Sequence, residues 1–518
     1  MMAIDGISSN QMRFWGLASG LDVDEIVRGF MMAERAPLDR LLQRRQLLEW
    51  QQEELRTINR MLRELDDLAF QLRLESTFSA RQVSVSHEGI LTARAGQGAA
   101  IGTHTIKVHQ LAEGLRLYSS VEIEDGRRLE ELGLSGSISF KITKITTGAS
   151  GEIEESSETI TINPEIHTAR ELAEYVNAFA SHLGIKAVYE PDLRRFFITS
   201  TETGADVQFR FDEVSSESGS SLGDLFSILG LTDRDGNAVE VGEAYSGLNA
   251  IFEYNGVMIE RSTNQFTAGG VTFTLLEADP SKTITVTVSQ DTDAIVEKIE
   301  SFVNKYNEIV THINGKLTER RYYDYPPLTE AQREEMSEKE IELWEEKAKS
   351  GLLRGDALLT RILSELRLAL SNPVRVDGSA YSLADIGITT GRWDERGILH
   401  LDKDALRRAL EEDVAGVAAL FRQDGAGGES SVGIVRRIEG ILDTAMDQLI
   451  ARVGRAGAPV DDSTIGRQIG WLNDAIERAE ARLAEREAHY YRQFSVLEQY
   501  MSMANTQMLW LMQTFGGY

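Results

Sequence analysis

The 518-residue chain contains no cysteine. That absence excludes disulfides, thiolate zinc sites and a cysteine nucleophile. Long apolar runs are missing as well: no stretch approaches the ~20 residues that a membrane helix needs, so no membrane insertion is expected. Met1 to Gln11 lacks a basic region followed by an apolar core, and no cleavable secretion signal is expected there. The protein should then stay inside the cell, or leave it by a route that reads no such signal. Basic residues are in the minority. Lys and Arg number 54 and Asp and Glu 82, a formal charge of 54 − 82 = −28. A chain so acidic repels phosphate backbones, which argues against nucleic acid as a partner, and it favours solubility before assembly.

Chemistry-bearing motifs are scarce too. The eight histidines form neither His-x-His nor His-Glu-x-x-His, so no metal site is expected. His104 and His109 lie five apart in strand-like sequence and should face opposite sides. Ser221 sits in Gly219-Ser220-Ser221-Leu222-Gly223, which matches the nucleophile elbow Gly-x-Ser-x-Gly. That elbow needs a hydrophobic strand before it, and Glu213 to Ser218 is polar. Asp233-Arg234-Asp235-Gly236-Asn237 hints at calcium, but Ala238 and Ala244 stand where the loop needs Gly and Glu. A hairpin turn explains those residues better. Gly96 to Gly102 misses the dinucleotide fingerprint and precedes strands. The acidic run Glu330 to Glu346 reads as a solvated helix face. No catalytic, metal or cofactor-binding residue is expected, no cofactor, and no enzyme.

What the chain does have is periodicity. Its length allows two to four domains, and 42% hydrophobic residues is ordinary for a globular protein. From Pro37 to Leu74, Leu41, Leu48, Leu55, Leu62 and Ala69 recur every seven residues, as do Ile58, Leu65 and Leu72. That is the seam of a long helix. Short β-branched runs follow between Arg81 and Gln290, interrupted by one amphipathic helix from Thr168 with Leu172, Tyr175, Val176 and Phe179 on one face. Helical spacing returns at Asp293 with Ile295, Ile299, Phe302, Tyr306, Ile309 and Ile313. A polar helix over Leu328 to Lys349, helices over Leu352 to Leu370 and Leu406 to Phe421, a small β unit over Gly378 to Leu401 and a connector at Ala426 to Ser431 complete the middle.

The last element runs from about Ser463 to Phe515. Ile469, Ile476, Leu483, Tyr490, Leu497, Ala504 and Leu511 keep a strict seven-residue spacing. The companion series Ile465, Leu472 and Ala479 shifts by one after Arg486, to Phe494, Met501, Met508 and Phe515. With Met503, Trp510 and Met512 the end is apolar on several faces, which calls for more than one neighbour. A lone helix of that length is marginal in water, so Phe494 to Tyr518 is expected to order only on assembly. The two helical ends should pack together around an inserted β head.

Gly16-Leu17-Ala18-Ser19-Gly20-Leu21-Asp22, Ala33-Glu34-Arg35-Ala36-Pro37-Leu38 and Leu48-Glu49-Trp50-Gln51 resemble the N-terminal signature of the flagellar hook-associated protein two family, the filament caps called FliD. Gly269-Gly270-Val271-Thr272-Phe273, Phe302-Val303-Asn304-Lys305-Tyr306-Asn307 and Leu383-Ala384-Asp385-Ile386-Gly387-Ile388 extend the resemblance through the chain. Tyr325 to Thr329 and Leu343 to Ala348 look like an insert of Gram-positive members, and Thr159 to Gly204 holds a motif similar to one shared with flagellins.

The fold implied is multidomain α+β, with long terminal helices forming a coiled-coil or bundle body and an inserted antiparallel β head of two subdomains. The expected divisions are a flexible N-terminal leg, 1–36; N-terminal helical body, 37–78; inner head, 79–118 and 244–290; outer head with the flagellin-like motif, 119–243; C-terminal body, 291–493; and a C-terminal assembly segment, 494–518. The resemblance implies a secreted structural cap at the distal filament tip, exported through the flagellar channel. Its implied partners are further copies of itself in a homo-oligomeric ring, flagellin, the hook–filament junction proteins, the export apparatus and a cytoplasmic export chaperone. The expected seam of assembly is Leu41, Leu48, Leu55, Ile58, Leu62, Leu65, Leu72, Ile469, Ile476, Leu483, Tyr490, Phe494, Leu497, Met501, Met508, Leu511 and Phe515. A secreted adhesin with a coiled-coil stalk and β-rich head is the alternative.

Overall fold

A computed structural model describes residues 22–148, 152–216, 219–376, 378–426 and 428–515. The chain divides into two compact units, one formed by Met1–Phe78 with Thr292–Tyr518 and the other by Ser79–Asp291.

In the first unit the N-terminal helix runs from Val23 to Arg73, 51 residues, about 77 Å at 1.5 Å per residue. It starts well before Pro37, where its beginning was expected, so 23–36 is helical and not a flexible leg. Asp22 accepts from the Glu25 amide at 2.9 Å and caps the first turn. Pro37 removes one backbone donor, yet it sits on an exposed flank where water can serve the orphaned carbonyl.

A return helix, Thr292–Thr318, buries all six residues of its expected apolar row. The expected helix over Leu328 to Lys349 is two, Glu330–Glu334 and Glu338–Lys349, each opened by its own capping box at Thr329 and Ser337. The next helix starts at Ala357 and not at Leu352, because Asp356 caps it. Asp413 likewise divides Leu406 to Phe421 by capping a new helix, Val414–Arg422. The helix Ile434–Val453 was not foreseen, and it buries Ile434, Val435, Ile438, Leu442, Ala445, Leu449 and Val453. Ser431, in the expected connector, is buried in a short 3-10 turn.

The second unit holds two apolar cores. One lies between a five-stranded antiparallel sheet and a three-stranded sheet, and it contains Ile106, Val108, Phe252, Phe273 and Val286. The other lies among two four-stranded sheets and the helices Ala169–Ala180 and Leu222–Leu229, with Phe196, Phe209, Phe211 and Phe226 at its centre. Strand Gly114–Ser119 pairs with Arg195–Thr203, and Ala244–Ser246 with Val207–Ser216. Both therefore belong with the outer sheets, although the sequence placed Gly114 to Tyr118 and Ala244 to Ser246 with the inner ones. Phe179 is 50% exposed, and Ala173 and Ala180 take the inner positions beside Leu172 and Val176. The Gly269-Gly270 turn joins Gln265–Ala268 to Val271–Leu275. A Cβ on Gly270, which has φ +79°, would lie 2.8 Å from the Ala99 Cα, so only glycine closes this hairpin without displacing its neighbour.

Candidate assembly surface

The two long helices of the first unit run antiparallel. Along the pair, Arg45 meets Asn473, Glu34 meets Tyr490 and Asp24 meets Tyr491. Asp461 fastens the root of the C-terminal helix, Thr464–Phe515, to the N-terminal one. Its Oδ2 accepts from Gln52 Nε2 at 2.8 Å and from Arg56 Nη2 at 3.0 Å. Burial works against that charge, but bonds from Ser463 and Gln52 hold the Asp461 carboxyl below its ordinary range.

The expected N-terminal seam has two parts. Leu55, Ile58, Leu62, Leu65 and Leu72 are wholly buried in one core with the return helix and the helix Ile434–Val453. Leu41 and Leu48 are half-buried along the paired helices. On the partner helix Ile476 is buried, and Ile469, Leu483, Tyr490 and Phe494 are half-buried. The pairing extends further than the leucine spacing reached. Two heptads before Leu41 stands Val27, buried like Val23. Glu34 lies between and accepts from Tyr490 Oη at 3.2 Å, while the Tyr490 ring stacks on Phe30 at 5.3 Å. A glutamate at an apolar position hid this continuation.

Tyr491 stands level with Asp24, so the C-terminal helix runs on past Val23. There Leu497, Met501, Met508 and Leu511 are exposed and not gathered into a core, and Tyr500, Met503, Leu509, Trp510 and Met512 are exposed beside them. The backbone stays helical to Phe515, contrary to the expectation that a lone chain leaves this stretch unordered. Propagation from a formed helix avoids the nucleation cost an isolated segment would bear. Gly16, Leu17, Gly20 and Leu21 of the signature, and the Phe515 side chain, lie outside the described residues.

A charged group braces the body. Glu54 Oε1 lies 2.7 Å from His312 Nε2 and its Oε2 3.1 Å from Lys316 Nζ. The His312 bond is the largest influence on Glu54 and holds its carboxyl below the ordinary 4.5, against burial. Burial would lower Lys316, yet the Glu54 bond raises it.

Several of the motifs weighed for chemistry have structural partners. Ser221 caps the helix Leu222–Leu229, with its amide and Oγ bonded to Asp224 Oδ2 at 2.7 and 2.8 Å. Asp233 is occupied by Asp235, Asn237 and the turn between them. His104 Nδ1 lies 2.9 Å from Tyr254 Oη. Gly96 donates to the Gly270 carbonyl at 2.8 Å. Among the described residues no three His, Asp or Glu side chains lie together as a metal site, and no helix is long and apolar enough to cross a membrane.

Residues 247–506 match the family described as Flagellar hook-associated protein 2 C-terminus, and residues 19–114 the one described as Flagellar hook-associated protein 2 N-terminus. The chain is 34% identical to a Flagellar hook-associated protein 2 of Halalkalibacterium halodurans, over 97% of this chain and 100% of the relative. It is 27% identical to that of Thermotoga maritima, over 97% of this chain and 95% of the relative. Its fold resembles the crystal structure of the flagellar cap protein FliD D1-D2-D3 domains from Escherichia coli, with a TM-score of 0.52 and 24% identity, over 77% of this chain and 99% of that one.

Proposed function

The chain belongs to the flagellar hook-associated protein 2 family, the flagellar filament cap proteins, and from that premise we propose how it caps. Several copies form a homo-oligomeric ring at the distal filament tip. The ring retains each flagellin that arrives and lets it fold into its lattice site before the cap steps on. The protein reaches that place through the flagellar export channel, escorted by a cytoplasmic chaperone, and meets the hook–filament junction proteins first. Its work is contact and not covalent chemistry.

The observation that carries this reading is the exposed apolar length of the C-terminal helix, from Leu497 to Met512. Exposed apolar surface of that extent on a soluble chain calls for a neighbour. The helix is rooted in the body, so what it presents is aimed and not loose. The methionines there adapt to uneven partners better than branched residues do, which suits subunits meeting unequal lattice positions. Stepping needs contacts that hold and release, so strength is best spread over several modest contacts. The adhesin alternative finds no support among the relatives. Electron microscopy of the purified full-length protein tests the proposal: rings or plates of several subunits are expected, and a strictly monomeric protein at all concentrations would contradict it.

A further inference from the structure

The N-terminal helix carries a groove of about 710 Å³ on the flank that faces the end of the helix Ile434–Val453. Arg56, Arg60, Arg63 and Arg455 line it, with Ile450 in its wall. Among the described residues, the carboxylates in its lining are Glu49 and Glu53, and Glu49 is engaged by Arg45 at 3.3 Å. Arg56 is held by Asp461 and by the Val453 carbonyl. Arg60, Arg63 and Arg455 are exposed and form no ion pair among the described residues. On a chain of formal charge −28, such a concentration of arginine is out of character.

The same unit presents the complementary surface elsewhere. On the helix Glu338–Lys349, Glu338, Glu342 and Glu346 follow one another at every fourth residue, all exposed and without an ion pair among the described residues. Leu343 beside them is 52% exposed. This ridge is firmly seated: Trp344 Nε1 donates to the Pro326 carbonyl at 2.7 Å, and Gln43 Nε2 to the Pro327 carbonyl at 2.8 Å. Glu338, Glu342 and Glu346 rise by about 6 Å each, and Arg60 and Arg63, three apart, by about 4.5 Å, so both rows present successive charges along one helix flank.

Within one chain, among the described residues, no ion pair joins the two: Lys349 Nζ at the end of the ridge helix lies 5.0 Å from the Trp50 ring, and Arg56 donates to the Val453 carbonyl. We infer that the glutamate ridge Glu338–Glu346 of one copy docks into the arginine groove of the next. Such a contact joins two different surfaces, so it is head-to-tail and can close into a ring. Leu343 would add an apolar anchor between the ion pairs, and desolvation by the groove walls would strengthen them. The inference rests on the proposal that the protein forms a ring.

The test uses full-length protein and sedimentation velocity. Arg60→Glu with Arg63→Glu, and separately Glu338→Lys with Glu342→Lys and Glu346→Lys, should each weaken self-association by about tenfold or more. Mixing the two variants should restore association to within about threefold of the unaltered protein, because complementary rows meet again. Thermal melts confirm that each variant is folded. The cysteine-free chain allows a second readout. A mixture of Arg60→Cys and Glu342→Cys proteins should form mixed disulfide dimers on oxidation, with little linkage within either variant alone. Normal self-association of both reversed-charge variants, or preferential Arg60→Cys self-linkage, would overturn the inference while leaving ring formation standing. Loss of flagellin retention with intact self-association would overturn it too, assigning the groove to flagellin. An unaltered protein that never self-associates would fail the ring proposal itself.

Discussion

Removing Phe494 to Tyr518 separates the body from the surface it presents. The side chains lost are largely solvated: Leu497 is 44% exposed, Met501 39%, Met508 56%, Trp510 62%, Leu511 48% and Met512 61%. Their removal should therefore cost the body at most about 1 kcal/mol, a melting shift of less than about 3 °C. Assembly is another matter. Burying a large apolar side chain fully gains roughly 1.5–3 kcal/mol, so closing the exposed half of each of these gives about 1 kcal/mol apiece. Rotamer ordering takes back part of that sum. A net loss of about 4 kcal/mol remains, roughly a thousandfold in affinity. The assay expresses the truncated chain, compares its melting transition with that of the full chain, and measures self-association and flagellin leakage in a cap-deficient strain. Capping at full strength by the truncated protein would refute the assembly role of this helix. A melting transition lowered by more than about 10 °C would show instead that the segment is part of the body's core.

Leu62→Ala, at a fully buried position of the N-terminal helix, should cost about 2–5 kcal/mol in chemical denaturation, whereas Met503→Ala, at a 62% exposed position, should cost almost nothing. Glu54 carries a depressed folded pKa, so its contribution is present above its ordinary 4.5 and lost as pH falls through the lower folded value. Glu54→Gln should accordingly destabilise near neutral pH, and its melting deficit should shrink as the pH is lowered to about 3. Ser221→Ala should leave capping intact and cost the outer head about 1 kcal/mol, the worth of a helix cap; loss of motility with normal folding would restore a chemical role to that serine. The excised unit Ser79–Asp291 should fold alone, because Arg81 pairs with Gln290 and the Asp291 amide donates to the Ala80 carbonyl at 3.0 Å, bringing its ends together. A circular dichroism spectrum without β signal would count against that.

Where periodicity was clean, the sequence was readable. The return helix lies where spacing put it, because it buries a single face against one core, and the short β-branched runs between Arg81 and Gln290 form strands. The losses have particular causes. The helix Ile434–Val453 went unread behind the glycine-rich connector before it, although Ile438, Leu442, Ala445 and Leu449 step by four and three. Caps at Ser337 and Asp413 cut continuous helical patterns in two. The outer-head assignments of Leu115 and Leu117 depended on strand partners distant in sequence, Thr203 and Ile198 among their neighbours, and no local pattern encodes a partner. Of the assembly surface, the heptad rows were legible and their division was not. Leu62 and Leu497 occupy equivalent places in their rows, and only the packing shows one fully buried and the other 44% exposed.

The most direct measurement follows flagellin itself. A cap-deficient strain carrying its cognate flagellin is supplied with the full-length chain. Filament-bound and released flagellin are then quantified while the filament tips are imaged by electron microscopy. Retention of flagellin in growing filaments, each ending in a plate of several copies of the chain, is the expected result. Continued loss of flagellin to the medium from bare tips, with the chain folded and exported, would contradict the capping role.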